Sequence, residues 1–382
     1  MEWCETSDYD IVYPYVMADG IGGSLNEEIY RFGGGISSST GKWHYGASLA
    51  YKAGLYYRSV DPRPRNVTGL LNLAAGAGLS IGKYVTAIGV TADKYKQTNA
   101  IEFMSELGSA KIYHLTGLGT DYARFAGTGE STYYTGWRYG ASLALHPERN
   151  ISGLIASIGV TRFTYSNIIS DLNKLPLAHV REMEYRAQAG WRGKHAAVNA
   201  YTIIKRRLGD ENIFGDASSG SYPQISTLTM YAHNRVRTGA QASGIICNAS
   251  RFGLKAMAMA EYVHDNQVQS AASARRIINN LDMHINCTAT FQARQSTLFS
   301  ANIGYGHRRP LTSTFNKPRS GIEGAIAAAE SHFLADSHML NRIDGTVSMA
   351  HALPHQLALH IAAHCTASTI ASNYYVSASI IF

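Results

Sequence analysis

Histidines gather toward the carboxy end of this 382-residue chain, at His332, His338, His351, His355, His360 and His364. Imidazole nitrogens are common ligands of transition metals, so His360 and His364, with His284, are the natural candidates for a metal site. On a strand, however, residues four apart lie about 13 Å from each other, too far to share one ion without partners from neighbouring strands. Polar lining is the plainer reading. A hydrolase would need a serine and a histidine in hydrogen-bond reach, oriented by a third polar group. Ser348, His360 and Asp344 are close enough in sequence to be considered. No Gly-x-Ser-x-Gly elbow supports them, and a chain rich in Ser and His offers such triples by chance. A third group is Asp61-Pro62-Arg63-Pro64-Arg65. Two prolines stiffen an extended path, and the arginines of such a path can pair with carboxylates or with lipopolysaccharide phosphates. A loop tied down by its own arginines is the simpler alternative.

Charged residues of both signs recur at alternate positions of extended segments: Lys52, Arg138, Glu182, Glu184 and Arg186, then Asp282, Arg342 and Asp344. Mixed charge suits ion pairing that closes an interior, and it equally suits a water-filled channel. What these side chains do depends on which face of which element carries them.

The elements are strands. In Trp43–Tyr57 the odd positions run Trp43, Tyr45, Ala47, Leu49, Tyr51, Ala53, Leu55, Tyr57, against His44, Gly46, Ser48 and Lys52 on the other face. Tyr133–Leu145 repeats the pattern with Trp137, Tyr139 and Leu143 opposite Arg138, Gly140 and Ser142. Asn280–Gln292, Thr297–His307, Gln356–Thr366 and Asn373–Phe382 alternate in the same way; Ala196–Ile204 and Lys255–Val263 do not sort into faces. Period-two alternation marks a sheet with one apolar and one polar face. Runs of roughly 11 to 15 residues exceed the 5 or 6 usual in a soluble sandwich and match a tilted membrane-crossing strand.

Connections alternate between short (39–42, 82–83, 146–150, 192–194, 249–251, 293–296, 353–355) and longer (58–67, 99–130, 166–177, 210–224, 310–337). That is the pattern of brief periplasmic turns and longer extracellular loops. Trp43 and Trp191 flank short turns, and Phe382 ends the chain, as expected of an aromatic girdle. Ile101, Phe103, Met104 and Leu107 in the 99–130 stretch are apolar enough to fold inward as a plug. Composition agrees. Only 16% of residues are charged, where a soluble domain averages about a quarter. Mean hydropathy is −0.14, and no apolar run reaches the length of a membrane helix. The net charge of +7 is scattered without a basic helix or tail, which argues against nucleic acid as a partner. Cys4, Cys247, Cys287 and Cys365 stand apart, with neither zinc-knuckle nor redox spacing.

The expected fold is therefore all-β: a transmembrane antiparallel up-and-down β-barrel of about 16 strands in the bacterial outer membrane. It forms one domain over 1–382, with 1–25 as an extracellular loop segment and 26–382 as strands and loops. About fifteen strands can be counted. Yet the 39–42 turn and the chain's end should both be periplasmic, so a strand is expected upstream. The start, Met-Glu-Trp-Cys-Glu-Thr, also lacks a signal peptide, as a chain truncated at its amino end would.

Glu5–Gly22, Tyr30–Gly35 and Val60–Asn66 resemble a bacterial family of outer-membrane β-barrels of unknown function. The resemblance spans the chain and implies membership and location, and as a partner a TonB-dependent transporter. It carries no catalytic residue, metal or cofactor. The expected role is a channel or accessory component for uptake of a small polar solute or metal complex. The alternatives are a plugged barrel docking another envelope protein and a barrel-embedded lipid hydrolase. Expected contacts are outer-membrane lipid, lipopolysaccharide and, through the carboxy-terminal strand, the barrel-insertion machinery.

Overall fold

The computed structural model describes residues 5–105, 110–127, 131–149, 151–217, 221–353, 358–369 and 372–381. Its strands are β1 (Val16–Ala18), β2 (Asn26–Thr40), β3 (Trp43–Tyr57), β4 (Arg63–Ile81), β5 (Tyr84–Glu102), β6 (Tyr113–Gly117), β7 (Thr120–Asp121), β8 (Ser131–Pro147) and β9 (Gly153–Ile169). They continue with β10 (Leu175–Arg192), β11 (Ala196–Phe214), β12 (Gln224–Asn248), β13 (Phe252–Gln269), β14 (Ala274–Arg294), β15 (Thr297–Asn316), β16 (Leu340–Ala352), β17 (Ala358–Ser368) and β18 (Ser372–Ile381). Two helices, α1 (Tyr9–Val12) and α2 (Glu323–Ser337), complete the chain.

Fifteen strands form one antiparallel up-and-down sheet in which every strand pairs with its neighbour in sequence, save that β5 pairs with β8 across the excursion through β6 and β7. This is the fold of a transmembrane β-barrel. The alternation that predicts it is physical: a strand turns successive side chains to opposite faces, so a wall with lipid outside and polar groups inside must read with period two. The outward face carries Leu49, Leu73, Ile88, Leu143, Ile158, Val198 and Ile303, all exposed. Near the short turns it carries Trp43 and Trp191, 56% and 55% exposed, and the register neighbours Phe252, Phe291 and Phe299. A second aromatic tier includes Tyr51, Trp137, Tyr139, Tyr185 and Tyr262. Residues 43 and 51 are roughly 27 Å apart along β3; allowing for strand tilt, the tiers bracket an apolar band of the height a membrane requires. Phe382 lies outside the described residues.

The sheet is curled rather than flat. Residues 5–15 touch Lys52 on β3, Gln97 on β5, Tyr165 on β9 and Arg207 on β11, while Tyr13 stacks edge-on against Tyr231 on β12. In a flat sheet β3 and β12 would stand roughly 34 Å apart, beyond the reach of so short a segment. Among the described residues β2 and β18 do not pair, so the wall keeps two edges. The first and fifteenth strands of an alternating series run in the same direction, and antiparallel closure takes an even number.

Candidate functional site

Of the residues 1–25 expected as an extracellular loop segment, 5–23 lie against the polar face of the wall. Burial shows how deep they reach. In β5 the polar face is buried at Tyr95, Gln97, Asn99 and Ile101, and in β9 at Phe163, Tyr165, Asn167 and Ile169. Toward the short turns the same faces are open. The lumen is thus filled in its outer half and open in its inner half.

Three segments make the filling. The amino-terminal one is short and must satisfy its own backbone. Glu5 N–H donates to the Met17 carbonyl, and β1 pairs with β6 in the 103–130 excursion. Asp19 Oδ1 accepts from Ile21 and Gly22 N–H (2.7 and 2.6 Å), closing a turn that Gly22 and Gly23 can follow at positive φ. Apolar packing then docks it: Val12, Tyr15 and Val16 cluster with Tyr95, Tyr134, Phe163, Tyr165 and Val180. Each such side chain contributes about 1.5–3 kcal/mol when withdrawn from water. The second segment meets the first through Ile101, Ile112 and Met17, with Phe103 packed alongside; Leu107 lies outside the described residues. The third is α2, which stands on the tip of the second. Gly119 has φ +88 and passes so close to Ile326 that a Cβ there would meet its backbone at 2.7 Å. Arg276 on β14 pairs with Asp336, and Phe315 stacks on Phe333, holding the helix to the wall.

Polar contacts finish the docking. Asn66 and Asn99 side chains donate to the Glu5 carbonyl and Thr6 hydroxyl, and Gln97 donates to Ser7. Lys52 pairs with Asp8 at 3.5 Å. Arg207, on β11, holds Glu182 at 2.6 Å and donates to the Asp10 and Tyr13 carbonyls at 3.1 and 2.7 Å. Between the filling and the wall is a cavity of about 570 Å³ lined by Asp10, Tyr13, Arg207, His233, Arg235, Asp265 and Asp282, among others. Its charges are partnered across strands: His233 with Asp265 at 2.8 Å, Lys205 with Glu182 at 3.0 Å, Arg308 with Asp282 at 3.2 Å. In two pairs the carboxylate lies deeper than its guanidinium: Asp265 beneath Arg235 (13% and 44% exposed) and Glu261 beneath Arg237 (3% and 40%). The open surface therefore offers N–H donors backed by submerged negative charge.

Of the residues singled out from sequence, Glu182 and Asp282 border this region and Lys52 meets the filling. Arg138 pairs with Asp93 at 3.7 Å and covers the Phe163 ring. Arg186 pairs with Glu184, not with Glu182, and Arg342 with Asp344. The histidines are not brought together. His364 meets Thr346 at 3.0 Å, His360 stands opposite Ala350 near the inner rim, and His284 is three strands away opposite Gly306. His355 lies outside the described residues, among which no three His, Cys, Asp or Glu side chains gather as metal ligands. Ser348 is hydrogen-bonded to Ser300 at 2.7 Å and Asp344 is held by Arg342, so the structure does not assemble a triad from them with His360. Asp61 pairs with Arg63 and accepts from Met104 and Ser105 N–H at 2.8 and 2.7 Å, while Arg65 is exposed. The proline-arginine segment thus ties two outer loops together. Cys247, Cys287 and Cys365 are free thiols; Cys4 is outside the described residues.

Missing from the sequence reading were Lys205, Arg207, His233, Arg235, Asp265 and Arg276. A signal was present: His233, Arg235 and Arg237 hold three alternate positions, with Ala232, Val236 and Thr238 between or beside them. The helix also announces itself in Ala327-Ala328-Ala329, a strong helix-forming run.

The Glu5 carboxyl, fully buried beside Asp19 and Arg58, carries a pH dependence. Burial pushes it up from 4.5 to about 8, with repulsion from Asp19 adding and Arg58 at 3.0 Å only partly offsetting. The docked state prefers the protonated acid. Its contribution is full below about 4.5 and fades as pH climbs to about 8. After division by the base-catalysed intrinsic rate, hydrogen exchange over residues 5–19 is expected to quicken several-fold from pH 5 to pH 9, and Glu5→Gln to flatten that slope. An unchanged slope in the variant would rule Glu5 out as its source.

Solved structures with a similar chain path include CdiB from Acinetobacter baumannii (9% identity, TM-score 0.38, covering 94% of this chain and 60% of that one). They also include the alcaligin outer-membrane receptor FauA from Bordetella pertussis (11%, 0.36, 95% and 64%). A third is BamA from Haemophilus ducreyi lacking POTRA domains 1–3 (11%, 0.38, 97% and 76%). The chain thus spans less than two thirds of the first two. No curated protein matches it. The filled barrel with its charged cavity is built from a sequence that, over residues 1–380, matches the model of the "Family of unknown function (DUF6850)", and the chain belongs to that family.

Proposed function

We propose that this protein stands in the bacterial outer membrane and passes a small polar solute inward, with residues 5–23, the 110–127 segment and α2 acting as a plug that must shift for passage. One observation carries the reading: the polar face is covered in its outer half and open in its inner half, with the 570 Å³ charged cavity where the two meet. A sheet of fifteen strands is wide enough for an aqueous channel unless something fills it. The lining suits a solute with hydrogen-bond acceptors, because exposed guanidiniums present N–H forks. Insertion would use the barrel-insertion machinery, with β18 at the free edge, and a TonB-dependent transporter is the partner the family resemblance suggests.

Locking the plug tests this. Ser7 N–H lies 3.3 Å from Asn66 Oδ1. With the four native cysteines replaced by serine, Ser7→Cys and Asn66→Cys should cross-link the plug to β4. Oxidation is expected to suppress uptake of small sugars and amino acids into liposomes, and a reductant to restore it. Equal uptake by locked and unlocked barrels would overturn the proposal.

A further inference from the structure

The outward face of β5 and β8–β11 gathers basic side chains. At the outer edge of the apolar band it carries cations. Strand alternation puts Lys94 and Lys96 outward on β5, since Tyr95 and Gln97 are buried inward. Arg162 on β9 and Arg206 on β11 lie outward by the same alternation, beside Phe163 and Arg207. Register brings them level. Tyr139, Arg162, Met183 and Arg206 succeed one another across β8 to β11, and Lys94 is opposite Trp137 one step further out. With strands about 4.8 Å apart, Arg162 and Arg206 are roughly 10 Å from each other. Arg181 joins the group but is spent on Asp210, with bonds of 2.7 and 2.9 Å. Lys94, Lys96, Arg162 and Arg206 have no carboxylate partner among the described residues. The aromatics beside them are ordered: Trp137 stacks on Tyr139 at 5.8 Å, and Lys94 sits 4.7 Å above the Trp137 ring.

Below this cluster the same face holds a groove of about 730 Å³. Gly34, Ala47 and Ala75 leave it low, between Leu49, Leu73 and Tyr139, and its polar lining is slight. Tyr139 is shared: it borders the groove and stands opposite Arg162. An apolar channel that ends against unpaired cations, at the level where hydrocarbon gives way to headgroups, has the two chemistries of an anionic lipid. Unpaired charge is costly next to hydrocarbon unless it meets an opposite charge at the interface. Four cations spread over some 10–20 Å match a headgroup with more than one phosphate better than a single phosphodiester.

We propose that the outward face of β2–β5 and β8–β11 binds a phosphorylated glycolipid of the outer leaflet. Its phosphates are held by Lys94, Lys96, Arg162 and Arg206, and one acyl chain lies in the groove bordered by Tyr139. The site rests on the outer-membrane placement proposed above but not on solute passage.

The purified barrel in neutral detergent, titrated with bisphosphorylated lipid A and read by native mass spectrometry, tests it. Lipid A with both phosphates removed, and phosphatidylglycerol, are expected to bind at least tenfold more weakly, and inorganic phosphate alone not measurably. Arg162→Glu with Arg206→Glu should cost at least tenfold for lipid A. Ala75→Trp, which fills the groove, should weaken lipid A without creating phosphate binding. Equal binding of the phosphorylated and phosphate-free lipids, or phosphatidylglycerol binding as tightly as lipid A, would overturn the proposal. So would full lipid A affinity in the charge-reversed barrel. If that variant does not fold, the lipid series on the unaltered protein decides alone. A barrel that passes solute but ignores lipid A loses this site and keeps its transport role; one that binds lipid A without passing solute does the reverse.

Discussion

Deleting residues 5–23 is expected to turn a nearly silent barrel into a conducting one. The segment covers the polar face from β3 to β12, and the Tyr95, Tyr134 and Tyr165 surface it leaves behind would face water. The wall itself does not depend on it, because each pair of adjacent strands is joined by its own ladder, interrupted at most by local bulges; β3 and β4, for example, pair from Trp43↔Leu79 to Tyr57↔Arg65. β6 loses its partner β1, so the 110–127 segment loosens as well. An unobstructed wall of this strand number leaves an aqueous channel, so single-channel conductance in a planar bilayer should rise by about an order of magnitude or more. Heat-dependent gel migration would show that the wall survives. A folded deletion variant as silent as the full chain would mean that α2 and the remaining loop close the lumen alone, and residues 5–23 would lose their role as the plug.

How much of this was legible beforehand differs between wall and filling, for a physical reason. A wall strand meets two solvents at once, so its sequence records them residue by residue: Trp43, Tyr45 and Leu49 against His44, Gly46 and Ser48. The boundaries of β3 could be read directly from that contrast. Where the filling covers the polar face, the contrast fades, because Tyr95, Phe163, Tyr165 and Val263 turn inward yet are apolar. Ala196–Ile204 and Lys255–Val263, within β11 and β13, resist sorting for another reason: near the short turns Tyr201, Ile203, Met257 and Met259 share the polar face with Asn199 and Glu261. The filling has no period at all. Its segments are short, and each is held by contacts to residues 50 to 200 positions away, such as Asn66 to Glu5 and Arg207 to Asp10. The cavity inherits this opacity: its charges come from five strands and two helices, and only register brings Lys205 beside Arg235 and Arg235 beside Asp265.

Arg207 is the residue on which plug and wall both depend, and Arg207→Leu is expected to undock the plug. The guanidinium is 5% exposed and does three things with one rigid fork: it neutralises Glu182 and donates to the Asp10 and Tyr13 carbonyls. Leucine abandons all three. Removing one partner of a buried ion pair costs about 3–5 kcal/mol because the other charge stays behind. Lys205, 3.0 Å from Glu182, remains and holds the loss toward the lower end. About 3 kcal/mol is a shift of roughly a hundredfold in the docking equilibrium. Hydrogen exchange over residues 5–19 should accelerate by that order, and brief openings should appear in bilayer recordings. Arg207→Lys should fall between, since an ammonium keeps the charge but cannot span a carboxylate and two carbonyls. Adding Glu182→Gln to Arg207→Leu should recover part of the loss by removing the stranded carboxylate, so the two effects should not add. Unchanged exchange over residues 5–19 in Arg207→Leu would show that apolar packing alone seats the plug. The control of opening would then lie with the Tyr95–Tyr165 cluster rather than with charge.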